Sequence, residues 1–394
     1  MRSATVGRAI VTTEAHENAV ISDHFLRVAP SNPALKGWLY AYIKSPQVQS
    51  IIGSTQYASV IRHIEPRHLL DLPVPEVDVE TAQDFQTRLG DIVKCRNEAT
   101  RLRKEAEDAF AAAIGPIPAS ETDAGFSVKL GNVFSGRRRF EAAYHVPHTR
   151  AIIGTFKKSE RLGDIVERIW WPNRFRRVFL ESGTPYMSAD DLFTANPYAL
   201  KSVAIEGKKD IDEFTVEPGW LIMARSGQTY GLNGSAMLTT EDHKRYFISE
   251  DMIRIKPRAK SVPAGYLLTA LTHPTLGRPL LIREAYGMSI PHLDPSDVAD
   301  FPIVRFDAKT EAKIADLAER AAAQQAKAEV LERELAEAAG KVISDFLVKP
   351  TMQIVDNDEA DLAIARKRLA RIDAQPESVL RGEALEAKMK QWES

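Results

Sequence analysis

The stretch TTEDHKRYFISEDMIRIKP occupies residues 239–257, and a near-copy, TTEAHENAVISDHFLRVAP, occupies residues 12–30. Eight of the nineteen aligned positions are identical, and Met252, Ile253 and Glu250 stand like for like against Phe25, Leu26 and Asp23. The correspondence continues outward. Arg225-Ser226 answers Arg2-Ser3, AGYLLTALTHP (264–274) answers KGWLYAYIKSP (36–46), and YGMSIPHLDPSDVADFPIV (286–304) answers YASVIRHIEPRHLLDLPVP (57–75). The offset drifts only from 223 to 229. Repetition on this scale outranks any local motif as a fold signal, and two units mean duplicated domains rather than a solenoid.

Each copy runs into a long helix. In the second, Ile314, Leu317, Ala321, Gln324, Ala328, Leu331, Leu335, Ala338 and Val342 recur at spacings of three and four, a sustained heptad seam. The first carries Phe85, Arg88, Ile92, Cys95, Ala99, Leu102, Ala106, Ala109 and Ala113, each 229 residues earlier. A shared register and many small alanines make each helix the natural partner of the other. Ile92, Ala99, Leu102 and Ala106 are expected to face Leu317, Ala321, Ala328, Leu331 and Leu335. At 1.5 Å per residue such helices run roughly 50–60 Å.

The repeats themselves read as mixed α/β. FLRVAP (25–30) and MIRIKP (252–257) alternate as strands, and GYLLTALTHP reads as a helix stopped by Pro274. The Pro-bounded runs LPVP (72–75) and FPIV (301–304) lead into the long helices, and IGPIPASETDAG (114–125) reads as a linker. The expected fold is α+β: two duplicated mixed α/β domains joined by two long coiled-coil helices. The copies are unequal at the front. Some ninety residues, from GRRRFEAAYHVPH (136–148) through PGWLIMARSG (218–227), precede the second copy and have no counterpart in the first.

Bulk properties narrow the function classes. A chain of 394 residues holds two or three domains, and a hydrophobic share of 44% with 27% charged is ordinary for a globular protein. Net charge is −2, so any basic surface is local. The lone Cys95 excludes an internal disulfide or a Cys-rich zinc site. No apolar run approaches a membrane span and no signal-peptide pattern opens the chain, which reads as cytoplasmic with no membrane association.

A search for catalytic constellations is nearly empty: there is no phosphate-binding glycine loop and no H-E-x-x-H. HVPH (145–148) pairs two histidines, but Pro147 speaks against a helix face, and NPYA (196–199) reads as a turn. No metal or cofactor is expected.

The chain does carry a basic, aromatic region. RIWWPNRFRRVF (168–179) interleaves Trp170, Trp171, Phe175 and Phe179 with Arg168, Arg174, Arg176 and Arg177, and Arg137, Arg138, Arg139, Lys157 and Lys158 precede it. Arginines of this kind hold phosphates and read guanine edges, although a solvated amphipathic strand has the same composition. ARSGQTYGLNG (224–234) is a second candidate: its glycines permit close approach to a ligand, and Arg225, Ser226, Gln228 and Thr229 supply donors. Its partial recurrence brings in Arg2 and Ser3. The pair Tyr286/His292, mirrored by Tyr57/His63, is the third, with packing an equal alternative.

The layout resembles the specificity subunit of type I restriction-modification systems. RFEAAYHVPH (139–148), RLGDIVERI (161–169), GTPYMSADDL (183–192), PGWLIMARSGQTYG (218–231) and FPIVRFDAKTEAKIADLAERA (301–321) each resemble a segment of such a subunit's target-recognition domain and following helix. The likeness covers roughly residues 1–113 and 137–347. It implies a non-catalytic subunit in which each domain reads half of a split double-stranded DNA target and the two long helices, antiparallel, set the spacer. It also implies docking of two methyltransferase subunits, and of the restriction subunit through them. On this reading residues 1–78 form the C-terminal portion of a first recognition domain lacking its front half, and 79–114 the first long helix. Residues 115–136 form a linker, 137–306 a complete second domain, 307–348 the second long helix, and 349–394 a charged helical tail. The rival expectation is a coiled-coil scaffold that organises protein partners without touching DNA.

Overall fold

The computed structural model describes residues 7–22, 25–54, 64–119, 125–134, 138–193, 200–205, 210–287 and 289–348. Arg2, Ser3, Tyr57, His63 and Arg137, the NPYA turn and the tail 349–394 lie outside the described residues. The chain divides into two units, Met1–Ile343 and Ser344–Ser394, and the architecture below belongs to the first.

The first long helix, Val79–Ile114, begins where the Asp78 carboxylate accepts the backbone N–H of Thr81 at 2.7 Å. The second, Ala308–Val348, begins with the same device 229 residues on, Asp307 accepting the N–H of Thr310 at 3.0 Å. The helices run antiparallel. Phe85, Leu89 and Ile92, near the start of the first, share an apolar cluster with Leu335, Ala339 and Ile343, near the end of the second. Ala106 and Phe110, near the end of the first, share another with Ile314, Ala315 and Ala318, near the start of the second.

Of the expected interface, Ile92, Ala99, Leu102, Ala106, Ala321, Ala328 and Leu335 are buried, and Leu317 and Leu331 partly so. Arg88 is a correction. It is exposed and paired with Asp84 at 2.7 Å, while Leu89 takes the buried position. The buried stripe is wider than a two-helix seam because each helix end also serves as a wall of a globular module.

The two modules repeat the same local constructions. Helices Lys36–Lys44 and Ala264–Thr272 each lie so close to a long helix that only glycine fits the contact. A Cβ on Gly37 would sit 2.4 Å from the Phe85 carbonyl, and one on Gly265 would sit 2.4 Å from the carbonyl oxygen of Ala315. Trp38 donates its indole N–H to the Pro75 carbonyl at 3.1 Å, and its counterpart Tyr266 donates its hydroxyl to the matching carbonyl of Val304. Thr13 and His16 form a capping box, as do Thr240 and His243. Short helices Pro66–Leu70 and Pro295–Ala299 follow caps at Glu65 and Asp294.

Every strand among the described residues belongs to the second copy and the segment before it. β1 (Ser159–Arg161), β2 (Val166–Trp170), β3 (Phe179–Leu180), β4 (Thr184–Met187), β5 (Lys201–Val203) and β6 (Leu221–Ala224) precede β7 (Ala236–Leu238), β8 (Phe247–Ile248), β9 (Met252–Pro257) and β10 (Pro302–Val304). They form sheets ordered β2-β9-β6-β7 and β3-β5-β4-β8, with a β1-β10 ribbon. The main core lies where the first sheet meets helix Ala264–Thr272 and the long helices, around Leu221, Ile253, Ile255, Tyr266 and Phe110.

Two local expectations are corrected, the strand at FLRVAP and the helix break at Pro147. FLRVAP (25–30) forms no strand, because its counterpart β9 is held between β2 and β6, and nothing described takes those places in the first copy. LPVP (72–75) likewise lacks the partner that β1 gives β10. The linker contains a short helix, Leu130–Phe134. Pro147 opens helix Pro147–Thr155 rather than opposing one, since a first-turn proline sacrifices no helical bond. Among the described residues no helix is long and apolar enough to cross a membrane.

Candidate nucleic-acid interface

The segment after β2 leaves the sheet at Trp171, and the loop after β6 leaves it at Arg225. The two meet directly: the Arg225 guanidinium lies over the Trp171 ring, 4.3 Å from its centroid. Arg225 is mostly buried and pairs with Asp294 at 3.3 Å. Asp294 in turn accepts the Tyr286 hydroxyl at 2.9 Å. The Ser226 hydroxyl and His292 Nδ1 lie 2.7 Å apart, and short backbone bridges join Ser226 to His292 and Tyr286 to His292. Gln228 donates its amide to the Ser289 carbonyl at 3.1 Å. The loop turns through Gly227 at φ 142°, a backbone conformation that L side chains rarely adopt. Thr229 is half-buried beside it, and its carbonyl accepts from Arg278 at 3.3 Å. Thus Trp171, Arg225, Ser226, Gln228, Tyr286 and His292, read separately from the sequence, converge on one face.

Arg174 borders this face at 70% exposure, with Asp251 3.9 Å away, and helps line a hollow of about 380 Å³ with Trp171, Asn173 and Asp210. Arg176 and Arg138 are exposed. Burial, with the Arg225 and Arg174 charges adding to it, holds the His292 imidazole below its usual range. Burial and the Asp294 hydrogen bond push the Tyr286 phenol up. The histidine is therefore neutral near pH 7 and the tyrosine keeps its proton, so both present hydrogen-bonding groups rather than charges.

Other basic residues have internal work. Arg177 pairs with buried Glu250 at 2.8 Å, and Arg168 grips Glu213 through two nitrogens at 2.8 and 3.1 Å. Arg139 donates to the carbonyls of Glu284 and Ala285 at 3.0 and 2.9 Å, anchoring the segment ahead of helix Pro147–Thr155. Lys157 and Lys158 are exposed but stand beside the β1-β10 ribbon, at the entry to the second long helix. His145 is buried against the Arg139 carbonyl at 2.7 Å, and among the described residues no group of three or more His, Cys, Asp or Glu is placed to hold a metal ion.

Three contributors escape a sequence reading. Asp294 is the acid of HLDP (292–295), and its counterpart Glu65 in HIEP is the signal that marks it. Asp251 closes the duplicated passage's SED. Tyr230 stands 89% exposed in the glycine-flanked loop, a ring free for stacking.

No protein-family model matches the chain, and no curated protein matches it in sequence. Among solved structures, the chain is similar to the S subunit of a type I restriction-modification system from M. genitalium, with 13% identity, a TM-score of 0.40, and 81% of this chain and 73% of that chain covered. It is also similar to the HsdS subunit from Thermoanaerobacter tengcongensis, with 14% identity, a TM-score of 0.28 and coverage of 77% and 70%. A chain from a structure on assembly and conformational transition of the type I R-M system gives 14% identity and a TM-score of 0.26, covering 77% of this chain and 70% of that one. At these TM-scores the likeness carries no weight for what this chain binds.

Proposed function

We propose that this chain is the non-catalytic DNA-sequence-recognition subunit of a type I restriction-modification complex, acting in the cytoplasm. The second module reads duplex DNA, and the helix pair fixes its distance from the first. The subunit docks two methyltransferase subunits and, through them, the restriction subunit. The observation that carries this reading is the meeting of Trp171, Arg174, Arg225, Ser226, Gln228, Tyr286 and His292 on one copy of a repeated module. A split-site reader requires two similar heads on a rigid spacer, and the duplicated modules on an antiparallel helix pair meet that requirement. In this role Arg138, Arg174 and Arg176 neutralise phosphates, while Gln228 and Tyr230 reach base edges and faces.

The test is binding of duplex DNA across a salt series. Affinity should fall steeply with salt, and Arg174→Ala with Arg176→Ala should lower the log–log slope by roughly 1 to 2. An unchanged slope removes those arginines from the interface. The scaffold reading draws support from the carboxylates that already hold Arg168, Arg177 and Arg225. It predicts no salt-dependent DNA affinity at all.

A further inference from the structure

The duplicated passage is one sequence pattern in two environments. Phe247, Met252 and Ile255 are 1%, 0% and 0% exposed, whereas their counterparts Val20, Phe25 and Val28 are 101%, 61% and 50% exposed. Arg254 is completely buried and donates to the carbonyls of Ile248 and Ser249 at 2.7 and 2.9 Å, while its counterpart Arg27 is exposed. The difference lies in the neighbours. In the second module Ile255 registers with Ile169 on one side and Leu221 on the other, and Ile253 registers with Met223. Phe247 stacks on Phe214 with ring centroids 4.6 Å apart. All of these neighbours come from residues 159–224. The turn leading into the exposed passage is nevertheless built as in the second module, with Thr13 N–H donating to His16 at 3.1 Å where Thr240 N–H donates to His243 at 3.0 Å. Val11, just ahead of it, is buried in the first module's core.

We infer that Phe25–Pro30 of the first module is a strand-accepting surface, and that its partner is a polypeptide segment equivalent to residues 159–224, supplying one strand on each side. An exposed edge with an alternating apolar pattern is a template for strand addition, in which main-chain bonds give affinity and side-chain alternation gives register. A second copy of this chain is the poorer occupant, because its own 159–224 strands are already paired within its second module. The inference rests on the duplication and is independent of whether the second module reads DNA.

The experiment mixes the full chain with residues 138–224 fused to a soluble carrier, and follows hydrogen exchange over residues 20–30 together with mass by light scattering. A one-to-one complex is expected, with slowed exchange at 25–30. Phe25→Lys with Val28→Lys should weaken it at least tenfold, and as both side chains are exposed the variant should melt like the parent. In a second form the same segment is linked flexibly ahead of Met1, so that the probe need not be stable alone. Protection of 25–30 in neither form overturns the proposal. So does a complex indifferent to the two lysines, which would mean exchange into the second module, and so does self-association of the unmixed chain through this face.

Discussion

Arg177 and Arg174 belong to the same short basic run, yet the fold gives them opposite tasks. Glu250 is 1% exposed and one of its carboxylate oxygens has no hydrogen-bond partner, so the Arg177 contact is what compensates the buried charge. Arg177→Ala should therefore cost about 1–3 kcal/mol in urea denaturation, while Arg174→Ala should be close to neutral. Equal effects would contradict the division. His243 supplies a pH test. Its Nδ1 accepts the Thr240 N–H at 3.0 Å, and burial holds the ring below the usual histidine range. Because the folded state favours the neutral form, its stabilisation is complete above about pH 6.5 and is lost as pH falls through the lower folded value. The melting temperature should drop on acidification, and His243→Asn, which keeps a cap without the titration, should drop less steeply. An identical profile would remove His243 from the account. At this scale the sequence disclosed which residue types mattered, but not their allegiance. Glu213, Glu250 and Asp294 lie 45, 73 and 69 residues from Arg168, Arg177 and Arg225, and no local pattern links such partners.

The helix pair is held by more than its seam. Glu332 is fully buried, pairs with Arg96 on the other long helix and with Lys44 of the first module at 3.3 Å, and accepts the Tyr40 hydroxyl. Burial lowers the Lys44 ammonium's affinity for its proton, partly offset by Glu332. The cluster is not repeated, because the counterparts of Glu332, Arg96, Lys44 and Tyr40 are Arg103, Gln325, Thr272 and Leu268. This unrepeated cluster distinguishes the two halves of a pseudo-symmetric pair, and a buried polar contact specifies register more sharply than apolar packing does. Glu332→Gln should cost about 3–5 kcal/mol, because it strands two buried cations. A loss under 1 kcal/mol would show that the cluster holds nothing. The helices themselves were legible from three-and-four spacing and shared register. What spacing left open was the wider buried face: Leu89 replaces Arg88 there because the module lies beside the helix, and a heptad pattern records only the opposite helix.

Over the whole molecule, duplication was the readable fact. It foretold a repeated layout on paired long helices, to which the structure adds the shared caps and the glycine at each helix contact, and it misled where copied sequence lacked copied neighbours, as at Phe25–Pro30. The DNA-reading claim concerns the second module on its strut, and it is tested most directly by selection from a random-sequence duplex library with the purified chain. Enrichment of a defined short motif is predicted, with single-base changes costing about 1–3 kcal/mol and Gln228→Ala relaxing preference at one position. A bound pool as random as the input would contradict the account.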